Sequence, residues 1–215
     1  ITINYLKKKL NFLNGKKNIF KKVLFCSVVP KCYKKIKMFI KYRFKIKSIE
    51  LKDLNLTQFI KIKVNRYQVG SDRISNAIGI ADNKFNYIVV DFGTATTFDV
   101  IIKNNYLGGI IAPGIKLSLN TLIKQASLIP PVNLTSVRGI LGKNTISAVR
   151  FGFYWGYIGL IKNIIKKITK QTKKKYKIIF TGGLSNLFRK SIDSKVYIKK
   201  DLTIIGLLKV VSLVK

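Results

Sequence analysis

The segment from Tyr87 to Ile102 constrains the fold more than any other part of the chain. Tyr87–Val90 is an unbroken apolar run, which predicts a buried strand that ends at Asp91. Gly93 and Thr94 then predict a tight turn, and the β-branched residues of 97–102 predict a returning strand. The segment therefore predicts a β-hairpin with an acid, a glycine and hydroxyl groups at its tip.

Two interpretations of this tip are open. It is either an ordinary hairpin turn or a site for a phosphate group and its cation. The second has a chemical basis, because glycine lets the backbone approach a ligand closely. Main-chain N–H groups and Thr hydroxyls donate to oxygen atoms, and a carboxylate binds a hard cation.

The charge of the chain also has two explanations. The formal net charge is +34, from 42 Lys and Arg against 8 Asp and Glu. A polyanion-binding surface, above all for RNA, would produce it. A coding bias toward Lys, Ile and Asn would produce it as well, and we favour that bias because Arg is scarce and no RNA-binding motif is present. We therefore expect no specific nucleic-acid partner.

The cysteines and the hydropathy indicate the compartment. Cys26 and Cys32 lack metal-ligand spacing, and the chain has no His, so we expect no zinc site. No apolar run approaches the roughly 20 residues that span a bilayer. We expect a cytoplasmic protein with no membrane partner.

A second candidate site lies at residues 70–79. Gly70-Ser71-Asp72 is followed by apolar residues at helical spacing, which predicts a helix start. Asp72 would either cap this helix or place a carboxylate at the mouth of a cleft, and the two roles are compatible. Because only eight acids occur in the chain, each one beside glycine is a candidate for a role.

Seven short motifs in one order carry a resemblance to a known family, the type III pantothenate kinases, which include the Bvg accessory factors. They are Ser27–Pro30, Val69–Arg73 with Asn76-Ala77, Asp91–Thr97, Gly108-Gly109 with Ala112–Gly114, Ala126–Pro130, Gly142–Thr145 with Gly152, and Thr181–Gly183.

The resemblance implies an α/β fold of two RNase H-like domains, as in the actin, Hsp70 and sugar-kinase superfamily. We expect residues 1–84 to be the first domain and residues 85–215 the second. The family begins with a strand carrying Asp-x-Gly-Asn-Thr, a phosphate-binding loop that this sequence lacks. We therefore expect the first domain to be incomplete, truncated at its N-terminus.

The resemblance also implies a reaction, the ATP-dependent phosphorylation of pantothenate to 4'-phosphopantothenate, which is the first step of coenzyme A biosynthesis. Asp72 would be the general base, and Asp91 would bind a monovalent cation, K⁺ or NH₄⁺. Mg²⁺ would accompany ATP. The remaining implied site residues are Gly70, Ser71, Arg73 and Thr145 for pantothenate, and Gly93, Thr94, Thr181, Gly182 and Gly183 for ATP.

The implied assembly is a homodimer, with the glycines of the predicted helix 145–169 near its seam. Two alternatives to the kinase remain open. One is a catalytically inactive or regulatory remnant that keeps the fold, and the other is a basic RNA-binding protein.

Overall fold

The computed structural model describes residues 3–11, 22–192 and 195–213 of the chain. Its helices are α1 (Ile3–Lys9), α2 (Pro30–Phe44), α3 (Ser71–Ile80), α4 (Ile115–Gln125), α5 (Thr145–Thr172), α6 (Ser185–Phe188) and α7 (Leu202–Val210). Its strands are β1 (Val23–Phe25), β2 (Ser48–Glu50), β3 (Lys61–Ile62), β4 (Asn86–Phe92), β5 (Ala95–Ile102), β6 (Asn105–Pro113), β7 (Lys177–Gly182) and β8 (Val196–Ile198).

The described residues form two compact units. One contains the described part of 3–80 together with 202–213, and the other contains 81–201 without 193 and 194. The first boundary lies near the expected position between residues 84 and 85. The division differs at the C-terminal end, because α7 packs along α3 and so belongs to the first unit.

The first unit has a small β-α-β arrangement. Strands β1 and β2 pair in parallel, with Leu24 opposite Ile49, and α2 connects them. Pro30 occupies the first turn of α2, where its missing N–H costs no hydrogen bond. Apolar residues at near-helical spacing in residues 1–22 predict a surface helix. Helix α1 covers part of this range, and residues 1, 2 and 12–21 lie outside the described residues.

The second unit is built on five strands in the order β6-β5-β4-β7-β8. Strands β4, β5 and β6 form an antiparallel meander, β7 pairs in parallel with β4, and β8 pairs in parallel with β7. This is the strand order of an RNase H-like domain, so the predicted α/β class is confirmed. The predicted hairpin is present as β4 and β5.

One buried hydrophobic cluster of this unit covers a face of the sheet. Ile88, Val90 and Phe92 alternate along β4 and join the buried cluster formed with α5 and α6. The ring of Phe92 lies 5.0 Å from that of Phe180 and 5.5 Å from that of Phe188. Because side chains alternate along a strand, Asp91 lies on the opposite face of the sheet.

The glycines of residues 106–115 predict a loop from the sequence alone. That prediction is wrong, because these residues contain most of β6. Gly108, at φ 114°, accommodates a register shift opposite Val100 and Ile101, so the glycine marks a bulge inside a strand.

Candidate active site

Asp72 lies in the first turn of α3 and is partly buried. Its Oδ1 accepts a hydrogen bond of 2.8 Å from the N–H of Arg73. The preceding Ser71 is buried, and its hydroxyl donates to the carbonyl of Ser27 at 3.0 Å. Because the helix begins at Ser71, Asp72 stands inside its first turn, two positions after the N-cap position, which Gly70 occupies.

Gly70 leaves the space that the Asp72 carboxylate occupies. A Cβ on Gly70 would overlap Oδ1 of Asp72 and would lie 3.3 Å from a methyl group of Val28. The sequence predicted Gly70 as a substrate contact, and the structure adds that it accommodates the carboxylate.

Cys26 lies beside Ser71 and Asp72, a position that the sequence did not indicate. Burial raises the pKa of its thiol from 9.0 to about 12, against the opposing effect of a hydrogen bond with Ser71, and the charge of Asp72 adds to the increase. The thiol is therefore neutral at physiological pH. A neutral thiol is a poor nucleophile, so Cys26 is part of the packing beside Asp72.

Asp91 lies near the end of β4 with threonines on both sides. In the strand register it pairs with Thr97 of β5 and with Thr181 of β7. Paired residues point to the same face of a sheet, so the carboxylate and both hydroxyl side chains share the face opposite the buried cluster of Ile88, Val90 and Phe92. Thr97 belongs to the predicted motif but was not predicted as a site residue.

Two glycines are packed closely against the hairpin tip. Gly182 has φ +83°, and a Cβ there would lie 2.6 Å from Oδ1 of Asp91 and 2.7 Å from the carbonyl of Phe92. A Cβ on Gly114 would overlap the carbonyl of Thr94. The turn itself is closed by a 3.1 Å hydrogen bond from the N–H of Gly93 to the carbonyl of Ala95.

Thr94 and Gly183 leave room for a ligand. Both residues are exposed, and a Cβ on Gly183 would meet no atom within 4 Å. The tip therefore combines a carboxylate, carbonyl oxygens and open glycine backbone.

The oxygen-donor set of this tip fits a hard cation. Carboxylate and carbonyl oxygens are the ligands that such cations prefer. Within the described ranges, no three Cys, Asp or Glu side chains lie together as a metal site. A cation at Asp91 would therefore draw its other ligands from backbone carbonyls, phosphate oxygens or water.

Thr145 opens α5 in a different part of the second unit. Asn144 caps the helix, with its Oδ1 accepting from the N–H of Ser147 at 2.9 Å and its own N–H donating to the Ser147 hydroxyl at 3.1 Å. Thr145 is exposed and lines a cavity of about 550 Å³. The other lining residues are Ser127, Leu128, Ile129, Pro130, Asn144 and Ile146.

The predicted site residues thus form three groups. Gly70, Ser71, Asp72 and Arg73 lie together in the first unit. The second group is in the second unit, where Gly182 packs against Asp91 of the hairpin that carries Gly93 and Thr94. The third is Thr145, which lines a separate cavity of the same unit. In the part of the chain that the structure describes, no helix is long and apolar enough to cross a bilayer.

Comparison with solved structures identifies the fold. A Campylobacter jejuni protein described as a Baf family transcriptional activator superimposes with a TM-score of 0.66 over 97% of this chain and 87% of its own. The two sequences are 24% identical, so this likeness concerns the fold alone. It confirms the expected α/β fold.

Comparison with curated sequences identifies the family. A type III pantothenate kinase of Pelagibacter ubique is 58% identical over 210 residues, which are 98% of this chain and 85% of that protein. A type III pantothenate kinase of Rhodospirillum rubrum is 43% identical over 143 residues, which are 66% of this chain and 56% of that protein. Residues 2–167 match the family model for type III pantothenate kinases. The chain therefore belongs to the type III pantothenate kinase family.

Proposed function

We propose that this protein transfers the γ-phosphoryl group of ATP to the terminal hydroxyl of pantothenate, with Asp72 as the base. The observation that carries the proposal is the Asp72 carboxylate, held in the first turn of α3 between Gly70 and the Arg73 N–H. It lies within the motif that resembles the catalytic segment of the family. The reaction would supply the first step of coenzyme A biosynthesis.

Phosphoryl transfer needs few protein groups. Catalysis depends mainly on positioning the attacking hydroxyl and on neutralising the phosphate charge. Asp72 would accept the hydroxyl proton, while Gly70, Ser71 and Arg73 would line the pantothenate site around it. No His is needed, and the chain has none.

One substitution tests the base. Asp72→Asn preserves the size of the side chain and removes its ability to accept the proton. We expect kcat to fall by about 10² or more, while circular dichroism and thermal unfolding stay close to those of the parent protein. Asp53→Asn, which changes an exposed acid in the same unit, is the matched control. Turnover of Asp72→Asn near the parent rate would contradict the assignment.

The hairpin tip would hold ATP and its cations. We assign ATP contacts to Gly93, Thr94 and the turn 181–183, and a monovalent cation, K⁺ or NH₄⁺, to Asp91. When bound, that cation supplies positive charge beside the phosphate oxygens, and Mg²⁺ accompanies the nucleotide. The close packing of Gly182 against Asp91 supports a common site for these groups.

The cation assignment has its own test. Turnover should rise when Na⁺ is replaced by K⁺ or NH₄⁺ at constant ionic strength, and Asp91→Asn should abolish that rise. Asp53→Asn should keep it. Equal rates of the parent protein in Na⁺ and K⁺ would count against the assignment.

Thr145 would contact pantothenate, and the protein would act as a homodimer. The cavity beside Thr145 supports the first assignment. The second is supported by α5, where Cβ atoms on Gly152, Gly156 and Gly159 would meet no atom within 4 Å, so a second helix could approach closely. We expect light scattering to give the mass of a dimer at micromolar concentration, and a monomer would contradict this.

We place the protein in the cytoplasm, without a specific nucleic-acid or membrane partner. Cys26 and Cys32 are both free thiols, which supports a reducing compartment. Nonspecific binding to RNA at low salt is expected from the net charge of +34 and should decline steeply as salt rises.

A further inference from the structure

Helix α7 contacts α3 along one of its faces. Thr203, Gly206 and Lys209 are spaced three residues apart, so they form one stripe on α7. Gly206 allows the closest approach, because a Cβ there would overlap the carbonyl and hydroxyl of Ser75. At the other end, the Lys209 ammonium donates to the carbonyls of Ile78 and Gly79 at 3.0 Å each, where α3 ends.

Thr203 makes two hydrogen bonds to the middle of α3. Its hydroxyl donates to Oδ1 of Asn76 at 2.7 Å, and its carbonyl accepts from the hydroxyl of Ser75 at 2.7 Å. Ser75 and Asn76 are completely buried. Water cannot replace a lost hydrogen bond at such a site. These contacts therefore fix both the position of α3 along its axis and its rotation about that axis.

Asn76 is connected to Asp72 through the helix. The two residues are four positions apart, so they lie one above the other on the same side of α3. A rotation of α3 that broke the Thr203–Asn76 bond would therefore swing the Asp72 carboxylate by a similar angle.

We propose that Thr203 is a positioning residue for Asp72. Its hydroxyl holds Asn76, and through Asn76 it sets the direction of the carboxylate. The proposal rests on the assignment of Asp72 as the base. The contact is made by the hydroxyl group, so the chemistry of the side chain matters more than its volume.

Two substitutions separate the hydroxyl from the packing. Thr203→Val keeps the shape but leaves Oδ1 of Asn76 without this donor, whereas Thr203→Ser keeps the donor and loses a methyl group. Thr121→Val is the control, because it removes a Thr hydroxyl from an exposed position of α4, where the hydroxyl donates to the Leu117 carbonyl of its own helix.

The expected result is a loss of turnover that is specific to the hydroxyl. Misplacing a catalytic group by about 1 Å can cost up to 10²-fold. In steady-state assays with ATP and pantothenate, Thr203→Val should lower kcat by about 10-fold to 100-fold with KM values within about twofold. Thr203→Ser and Thr121→Val should stay within about threefold of the parent protein.

A double-mutant cycle with Asp72→Asn adds a measurement that a purely structural role would not change. If Thr203 acts through the base, Thr203→Val should have no further effect on the residual rate once Asp72 is replaced. The same fold loss in both backgrounds would overturn the proposal, and so would equal losses in Thr203→Val and Thr203→Ser.

Two further outcomes have clear meanings. If Thr203→Val does not fold, Thr203→Ala takes its place with the same expected result, because it removes the same hydroxyl donor and can be compared with Thr203→Ser. If the parent protein phosphorylates pantothenate and Asp72→Asn retains full turnover, the base assignment fails and the positioning proposal fails with it. If Asp72→Asn is inactive and Thr203→Val is fully active, only the positioning proposal fails.

Discussion

Replacing Gly182 with alanine should both destabilise the protein and disturb Asp91. The new methyl group would lie 2.6 Å from Oδ1 of Asp91 and 2.7 Å from the Phe92 carbonyl, where ordinary contacts begin near 3.4 Å. One of those groups must therefore move by several tenths of an ångström. Residue 182 also has φ +83°, a conformation that an alanine adopts only with strain.

The two costs can be added. A left-handed backbone costs a residue with a Cβ about 1–2 kcal/mol. Overpacking a filled site costs about 1–3 kcal/mol. The sum is about 2–5 kcal/mol, and since 1 kcal/mol shifts the melting temperature of a chain of this size by about 2–4 °C, Tm should fall by roughly 4–20 °C.

Gly183→Ala provides a matched control for stability. A Cβ at this neighbouring position would meet no atom within 4 Å, so its free energy of unfolding should change by about 0.5 kcal/mol or less. Both variants would be compared with the parent protein by thermal and urea denaturation. Equal stabilities for Gly182→Ala and Gly183→Ala would refute the steric argument. Loss of the K⁺ response in Gly182→Ala, measured below its Tm, would show that Asp91 had moved.

Three further outcomes are expected. Gly114→Ala should destabilise the protein by about 1–3 kcal/mol in urea denaturation, because its methyl group would overlap the Thr94 carbonyl. Gly156→Ala should stabilise the isolated subunit by up to about 1 kcal/mol through helix propensity but should weaken the dimer in sedimentation measurements. Burial favours the protonated form of the Cys26 thiol in the folded state. The contribution of this thiol to the free energy of unfolding should therefore be complete below pH 9 and decline as pH rises from 9 toward 12. Cys26 in folded Cys32→Ser protein should accordingly react slowly with iodoacetamide at pH 8, and equal rates for the folded and urea-unfolded forms of this variant would contradict this.

Local patterns predicted the hairpin well. The apolar run and the β-branched run that flank Asp91 became β4 and β5, because periodicity along a strand is a local property of the sequence. The helix start at residue 71 was predicted for the same reason. The glycine pair 108–109 was misinterpreted, because a glycine bulge in a strand and a glycine loop have the same local composition.

The contacts of α7 could not be predicted, because they join residues more than 120 positions apart. Thr203 and Asn76 are 127 residues apart, and the sequence shows only a short apolar helix at one end of this contact. The expected division of the chain differed at its C-terminal end for the same reason. Helix periodicity predicts that a face is buried, but it does not predict which helix will cover it.

The glycines beside Asp72 and Asp91 have a packing role in addition to their expected contacts with ligands. Gly70 and Gly182 were expected to contact ligands, yet each also occupies a place where a Cβ would collide with Oδ1 of a candidate site carboxylate, Asp72 or Asp91. The sequence does not reveal this packing role. Gly182 comes to Asp91 from another strand, and the nearness of Gly70 to Asp72 in the chain does not show that their atoms would collide. A carboxylate confined in this way loses rotamers before any ligand binds. Such preorganisation lowers the entropy cost of reaching a reactive arrangement, which is the main contribution that a protein can make to phosphoryl transfer. The same glycines therefore contribute to the packing of the fold and to the orientation of its acids, so substitutions there should reduce stability and turnover together.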